Sequence, residues 1–523
     1  MITQQSTTMA GPGRRTCIVG GKKIAVLFTV GILLVVTGVT LYFVMDRVIQ
    51  NKINEKLVLK PGTEVSEQWQ DPPVPIYLQF FMFDIVNPLR AMQGERPYLI
   101  QKGPYSYREH RPKKNISWNK KAASVTYNEE MSFIFDADTS CDSCDPFTDS
   151  VTTVNIPLVT LAEAVAKLNS LERNFLSALF AGFKETLFTR RRVHDLIWGY
   201  PDPLFEAYNN FRKDLPSFLQ KKLPEINPII ALQQNNTFDG VTSVSTGEND
   251  ISMLVQVLSW KEQEKLKVWN TSYANMINGT DGSQFAPGTS SDDTLYVFVT
   301  QLCRSLYLTH DSNTEVQGIK ALRFSVPVKA FQNETMNPDN KGFCTSKCYP
   351  SGILDVGVCQ PPSPVAIPLF ISAPHFYMGA KSLLEAVDGL SPNKEEHGTF
   401  LNVEPHTGIS VKSSKRLQIN VKVEHVDLIT QMGKVKKMFF PVFYLNETAT
   451  FDKASADKLK SEVLSKFTIV HGIELGLVLL GALLMIIAFI LLMILIADNR
   501  KLKKLRQLLR INEDLERRPL LSS

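Results

Sequence analysis

The side chains best suited to covalent or metal chemistry in this chain are its cysteines, seven in 523 residues. Their C-x2-C and C-x3-C spacings suit either zinc thiolates or local disulfides. The central part of the chain also carries N-glycosylation sequons, which mark an oxidising, secretory compartment. We therefore predict disulfides and no metal site. Six cysteines lie in this part: Cys141, Cys144, Cys303, Cys344, Cys348 and Cys359. The sequons are at Asn115, Asn235, Asn270, Asn278, Asn333 and Asn446.

Residue patterns typical of enzymes are missing from the sequence. It contains no G-x-S-x-G, H-E-x-x-H, Walker A or G-x-G-x-x-G motif. The eight histidines are scattered, and none is followed by another three or four residues later. We predict a protein that is not an enzyme and needs no cofactor, with a hydrolase site assembled from distant residues as the open alternative.

Two features of the terminal segments indicate membrane trafficking. Glu516, Leu520 and Leu521 form an E-x-x-x-L-L string near the C-terminus. Clathrin adaptors bind such strings by placing both leucines in an apolar pocket, and leucines at an exposed chain end have little use in packing. The alternative is a chance occurrence. Cys17 precedes an apolar run and is a candidate for palmitoylation, with a plain reduced thiol as the alternative.

Two apolar runs without charge, residues 24–45 and 475–497, are each long enough to cross a bilayer as a helix. The first is too long for a cleaved signal peptide and lacks a small-residue cleavage site, so we interpret it as a signal-anchor. Basic residues flank both runs, in tails 1–23 and 498–523, which predicts cytosolic termini. The glycosylated ectodomain 46–474 then has nearly balanced charge, which excludes nucleic acid as a partner.

The ectodomain is predicted to be rich in β-structure with a helical insertion. Apolar and polar residues alternate over 416–424, the period of a strand with one buried face. A capping box at Thr160 opens a helical block that covers 160–222. Further strand candidates are 125–135, 251–260, 322–328 and 435–445. The fold class is α+β, with two transmembrane helices enclosing one ectodomain.

The first helix of that block has an apolar face about half its circumference wide. Packing of this face on the domain is the default interpretation, and docking of a partner is the alternative. The candidate partner-binding residues on the face are Leu168, Leu171, Phe175, Leu179 and Phe183.

Several sequence segments resemble the class B scavenger receptor family. They include GPYSYRE at 103–109, NMINGTDG at 275–282, CRS at 303–305 and PHFY at 374–377. The resemblance implies a β-barrel core, a helical bundle at 160–222 where ligands dock, and a tunnel for lipid. It also implies that Cys303 pairs with Cys359 and Cys344 with Cys348. A local Cys141–Cys144 bridge is a further hypothesis.

Resemblance to a lysosomal member of that family implies a receptor in the lysosomal or late endosomal membrane. Its partners would be a luminal hydrolase such as β-glucocerebrosidase, a lipid (cholesterol, phospholipid or fatty acid) and clathrin adaptors. A histidine on the docking helix would be the natural acid sensor, yet none lies between Thr160 and Arg192, and His194 is the only one in the block. The alternatives are a cell-surface receptor for lipoprotein lipids or fatty acids, and a protective membrane glycoprotein.

Overall fold

The computed structural model describes residues 20–166, 169–214, 216–220, 225–359 and 367–516. Within these ranges the side chains of six residues are outside the description: Glu172, Phe175, Phe218, Leu219, Leu515 and Glu516. The chain forms two compact units. One consists of the described parts of Met1–Lys52 and Lys460–Ser523, and the other is Ile53–Leu459.

The two helices that could span a membrane, α1 and α12, contain the apolar runs found in the sequence. A π-helical turn, Lys460–Leu464, precedes α12. The α-helices are α1 (Gly21–Leu57), α2 (Glu64–Gln70), α3 (Pro88–Met92), α4 (Ile156–Val165), α5 (Ser170–Gly182), α6 (Val193–Trp198), α7 (Pro203–Lys213), α8 (Ser217–Gln220), α9 (Lys381–Leu384), α10 (Lys394–His397), α11 (Lys453–Leu459) and α12 (Ser465–Glu516).

Small residues let the two long helices approach closely within their own unit. A β-carbon at Gly31 would lie 2.8 Å from the Gly481 carbonyl oxygen, and one at Gly481 would lie 2.6 Å from the Gly31 carbonyl oxygen. Backbones this close need glycine on both helices, as is typical of packing between helices in lipid.

The ectodomain is built on one large, mostly antiparallel sheet of 14 strands. Its main path runs β10-β9-β4-β2-β1-β18-β17-β16-β13-β12-β11, with β3 beside β4 and the β14–β15 pair beside β17. The strands are β1 (Ile76–Ile85), β2 (Leu99–His110), β3 (Lys113–Asn119), β4 (Ser124–Phe135), β5 (Ser150–Val154), β6 (Phe188–Arg192), β7 (Tyr200–Pro201), β8 (Ile229–Ile230), β9 (Thr237–Ser245), β10 (Val257–Trp260), β11 (Thr294–Val299), β12 (Arg304–Val316), β13 (Ile319–Ser325), β14 (Leu354–Asp355), β15 (Leu369–Ser372), β16 (Phe400–Val403), β17 (Ser410–Val423) and β18 (Met438–Thr450).

Residues 279 and 280 link the two ends of this sheet. The Val257 N–H donates to the Gly279 carbonyl (2.8 Å), and the Thr280 N–H donates to the Tyr296 carbonyl (3.1 Å). Gly279 has a φ of +93°, and a β-carbon there would lie 2.0 Å from the Tyr296 carbonyl oxygen. Glycine is therefore required where the sheet closes into its barrel-like form.

Residues 125–135 lie inside β4, and the predicted strands 416–424, 322–328 and 435–445 overlap β17, β13 and β18 but extend one to three residues beyond them. Two further expectations differ. Residues 251–260 begin as a 3₁₀ turn, Ile251–Met253, and only Val257–Trp260 is a strand. In β17 the polar residues Gln418 and Asn420 were expected to face water, and both are fully buried. Hydrogen bonds from Gln418 and Asn420 to the Ser372 hydroxyl, at 3.2 Å and 3.0 Å, help to satisfy them there.

The barrel and the helical insertion share one apolar core. Phe80 and Phe443 lie in it edge to face, with ring centroids 5.5 Å apart. Leu158 of α4 and Phe180 of α5 belong to the same cluster and are fully buried. The insertion therefore folds as part of the barrel domain rather than as a separate module.

Candidate functional site

The helical insertion begins earlier than the sequence predicted. Asn155 is the N-cap of α4, and its side chain accepts a hydrogen bond from the Leu158 N–H at 3.2 Å. Thr160, expected to cap the helix, lies buried inside it and donates its hydroxyl to the Ile156 carbonyl at 2.7 Å. Since most residues of α4 are buried, this helix is a core element and offers little surface to a partner.

The predicted single amphipathic helix is two helices, and the second, α5, has one buried and one exposed face. Leu176 and Phe180 are buried in the shared core, and Leu179 packs against it. Leu171 is 79% exposed and Phe183 is 43% exposed. The predicted docking face is thus divided: Leu179 packs inward, and Leu171 and Phe183 face solvent. Leu168 and the Phe175 side chain lie outside the described residues.

Specific polar contacts hold the insertion against the barrel. The Ser177 hydroxyl donates to the Gln431 side chain at 3.0 Å, and Gln431 donates back to the Ser177 carbonyl at 2.9 Å. Lys422 of β17 forms an ion pair with Glu163 of α4 at 2.8 Å. Because α5 is fixed in this way, Leu171 and Phe183 are presented on a firm support. We name the exposed side chains Leu171 and Phe183, together with Phe147 described below, the apical surface, and the helices of the insertion the apical helices, after the position that the family resemblance implies.

Sequence reasoning missed an aromatic contributor beside these helices. Phe147 is half exposed and stacks on the His194 ring, with centroids 4.7 Å apart. The loop that carries Phe147 is joined to α6 because the His194 N–H donates to the Pro146 carbonyl at 2.8 Å. His194 also lies 3.5 Å from Asp195. The sequence feature that could have identified this contact is an aromatic residue three positions after Cys144, together with the only histidine between residues 160 and 222.

The six cysteines that the structure describes fall into two bonded pairs and one pair without a bond. Cys141 is bonded to Cys144, and Cys344 to Cys348. Cys303 and Cys359, which the resemblance pairs, are free thiols in this structure. A hydrogen bond with Cys303, together with burial, raises the pKa of the Cys359 thiol. The two thiols are therefore neighbours, and their disulfide stays a prediction.

One group with metal-ligating atom types occurs among the described residues: Glu334, Cys344 and Cys348, whose ligand atoms lie within 4.8 Å of one another. The two sulfur atoms are bonded to each other and so cannot act as thiolate ligands. Nearby, the buried Arg304 guanidinium lies 3.6 Å above the Phe343 ring. Burial lowers the pKa of Arg304 to about 10. This region therefore has the character of a packed structural element.

A pair of buried histidines lies in the barrel wall. The His375 and His397 rings stack with centroids 4.3 Å apart. His375 Nε2 donates to the Gln101 side-chain oxygen at 2.7 Å, and its Nδ1 accepts from the Ser391 N–H at 3.0 Å. Burial, followed by the neighbouring His397, lowers the pKa of His375 to about 4. Burial, followed by Arg416, lowers the pKa of His397 to about 4.

The sequons differ in accessibility. Asn115, Asn235 and Asn270 are exposed, while Asn278, Asn333 and Asn446 are partly buried. Asn446 lies in β18 between two neighbouring strands, and its amide donates to the Gln79 side chain at 2.9 Å. Glycosylation at these six positions stays a prediction. Cys17, Leu520 and Leu521 lie outside the described residues, as does the Glu516 side chain.

Two terminal helices able to span a membrane, together with one large barrel-like ectodomain that carries a helical insertion, define a membrane protein with a candidate anchor at each end of the ectodomain. The chain belongs to the CD36 family, whose model matches residues 29–492.

Comparison with individual proteins agrees with this membership. The chain is 36% identical to lysosome membrane protein 2 of Rattus norvegicus over 459 residues, which are 87% of this chain and 91% of that protein. It is 36% identical to lysosome membrane protein 2 of Homo sapiens over 441 residues, 83% and 88% of the two chains. It is 31% identical to scavenger receptor class B member 1 of Cricetulus griseus over 469 residues, 89% and 88% of the two chains.

Proposed function

We propose that the chain is a receptor of the lysosomal or late endosomal membrane that binds a luminal protein through its apical surface. The observation that carries the proposal is the exposure of Leu171 on α5, whose opposite face is fixed in the core, and of Phe183 directly after that helix. Large apolar side chains left in water on a firm support are typical of protein-binding surfaces. Similarity to lysosome membrane protein 2 supports the location.

The proposed partner is a luminal hydrolase such as β-glucocerebrosidase, as the family resemblance implied. Binding of the purified enzyme to the full-length receptor in detergent is compared with binding to Leu171→Asp and Phe183→Asp. We expect each substitution to weaken the affinity at least about tenfold, since each puts a charge into an apolar contact. Asn174→Asp adds the same charge at another exposed position of α5 and is the matched control.

Loss of binding in all three variants alike would instead indicate a general charge effect, and unchanged binding in both apolar variants would reject the apical surface. Unfolding temperatures measured in parallel exclude loss of folding as the cause. If the hydrolase fails to bind the unaltered receptor, the partner is wrong, although the surface remains open to another luminal protein.

The C-terminal Glu516, Leu520 and Leu521 are proposed to direct the receptor through clathrin adaptors. Full-length receptor and a Leu520→Ala/Leu521→Ala variant are located in cells by surface labelling and by a lysosomal marker. We expect the unaltered receptor in lysosomes and the variant at the cell surface. If both are found at the surface, the string is not a sorting signal.

The second candidate is a cell-surface receptor for lipoprotein lipids or fatty acids, which the similarity to scavenger receptor class B member 1 favours. Passage of lipid through the ectodomain is compatible with both the lysosomal and the cell-surface function. Uptake of fluorescent cholesterol into cells with and without the receptor tests this candidate, and equal uptake would reject it.

A further inference from the structure

Helix α12 continues well beyond the apolar run that ends at residue 497. Residues 500–511 contain six Lys or Arg and no Asp or Glu. Leu502, Leu505, Leu508 and Leu509 alternate with these basic residues and are between 48% and 63% exposed. At 100° per residue the four leucines fall on an arc of about 120°. We name these four side chains the leucine stripe.

The basic residues gather mainly on the other side of this helix. Arg500, Lys503, Lys504, Arg506 and Arg510 fall outside the arc of the leucine stripe. Lys501 alone falls within it, on the turn nearest the apolar run, where a lysine stem can cover apolar surface while its ammonium reaches water. Ile511 lies among the basic residues. The segment is therefore a short amphipathic helix attached directly to a membrane span.

Two occupants could cover the leucine stripe: a second copy of the helix or the membrane surface. A second copy is disfavoured because the stripe covers only about two turns, whereas coiled coils need several heptads. Two such helices side by side would also bring their basic residues together without acidic partners between 500 and 511. An anionic membrane surface satisfies both features, because it solvates the leucines and attracts the basic side chains.

We propose that residues 500–511 form a membrane-surface helix that inserts the leucine stripe among the acyl chains and binds anionic lipid headgroups through its basic residues. In this structure α12 is continuous from Ser465 to Glu516, so lying on the bilayer requires this helix to bend between the end of the span and the leucine stripe. The basic tails predict cytosolic termini, and with that orientation the helix lies on the cytosolic leaflet. Lipid binding itself does not depend on that orientation.

Backbone hydrogen exchange tests the proposal on the full-length chain in nanodiscs. One bilayer contains phosphatidylcholine alone and the other contains added phosphatidylserine, in both leaflets. We expect exchange of the amides of 500–511 to be at least about tenfold slower in the phosphatidylserine discs. Symmetric discs make the result independent of the receptor's orientation and of its luminal partner.

Two variants distinguish the effect of the basic side chains on amide exchange from the effect of inserting the leucine stripe. Lys503→Gln/Arg506→Gln/Arg510→Gln is expected to remove the difference between the two bilayers. Leu505→Ser/Leu509→Ser retains the charges but removes half of the stripe, and it is expected to restore fast exchange in both. The matched control, Lys114→Gln/Lys120→Gln/Lys121→Gln, removes three exposed charges from the ectodomain and leaves the slowing intact.

Equal exchange in the two bilayers would overturn the proposal. Protection that appears only in discs holding two copies of the receptor would also overturn it, because a second copy would then cover the stripe.

Discussion

The barrel wall and the apical helices differ in the side chains that they bury and expose: the wall buries polar residues, and the apical helices expose apolar ones. In the wall, Gln418 and Asn420 are fully buried and hydrogen-bonded to each other and to Ser372. On α5, Leu171 is left in water while Phe180 of the same helix is fully buried, and Phe183, directly after the helix, is also exposed. Buried polar groups whose hydrogen bonds are all made specify one arrangement of a core. Exposed apolar surface lowers the free energy only when a partner covers it. The wall is therefore a scaffold, and the apical surface is the proposed binding element.

The largest expected contrast is in stability. Phe443 is fully buried against Phe80, so Phe443→Ala should lower the free energy of unfolding by about 3–5 kcal/mol. Leu171→Ala should change it by less than about 0.5 kcal/mol, since its side chain is mostly exposed. Denaturant unfolding of both variants in detergent measures this difference. Similar losses in the two would contradict the division into scaffold and binding surface.

The second contrast concerns acid. His375 and His397 have pKa values lowered to about 4 in the folded chain, whereas an unfolded imidazole titrates near about 6.5. Between these values the unfolded chain binds protons that the folded chain does not. Stability is therefore full above about pH 6.5 and falls as the pH drops toward 4, by about 3 kcal/mol for each of the two histidines.

Unfolding temperatures between about pH 7 and pH 4.5 test this expectation. His375→Gln/His397→Gln should flatten the pH dependence. Glu447 provides an internal reference in the same wall, because the pairing of its carboxylate with Lys415 and Arg111 lowers its pKa to about 2. Its charge is retained throughout this range. A dependence that survives the double substitution would show that other groups cause it.

A third contrast lies within the apical surface. Phe147 is half exposed and rests on His194, so Phe147→Ala should weaken binding of the luminal partner by about threefold to tenfold. The unfolding temperature should change little. Titration of the partner against both receptors measures the effect. If affinity is unchanged, the binding surface is restricted to α5.

The smallest expected effect belongs to the link between the two regions. Glu163→Gln removes the ion pair with Lys422 and should cost about 0.5–1 kcal/mol of stability, because the glutamate side is half exposed. The effect should shrink at high salt. A larger loss, insensitive to salt, would mean that packing rather than charge joins the insertion to the barrel.

Local patterns in the sequence were enough to find the two long helices and most of the strands. A charge-free run and a strand-like pattern depend only on neighbouring residues, and the elements that they predict are observed as α1, α12, β4 and β17. The boundary of α4 was missed because Asn155, which caps it, lies outside the expected Thr160 motif.

The buried polar residues of the wall could not be predicted in the same way. Alternation assigned Gln418 to the solvent face, whereas its partners Ser372 and His375 come from a segment more than 40 residues away. The His375–His397 stack likewise depends on how two loops meet. The apical site was found in part: the pattern indicated an amphipathic face, but only the packed helix shows which half of that face is exposed.

The first and last long strands of the barrel, β1 and β18, are direct neighbours, with Ile76 opposite Ala449. The two segments that lead to the membrane helices thus leave the barrel side by side. A protease that cuts one of them leaves the domain tethered by the other, with every strand pair intact. Shedding of the ectodomain therefore requires two separate cuts, and a chain cut once stays attached to one membrane helix with its fold intact.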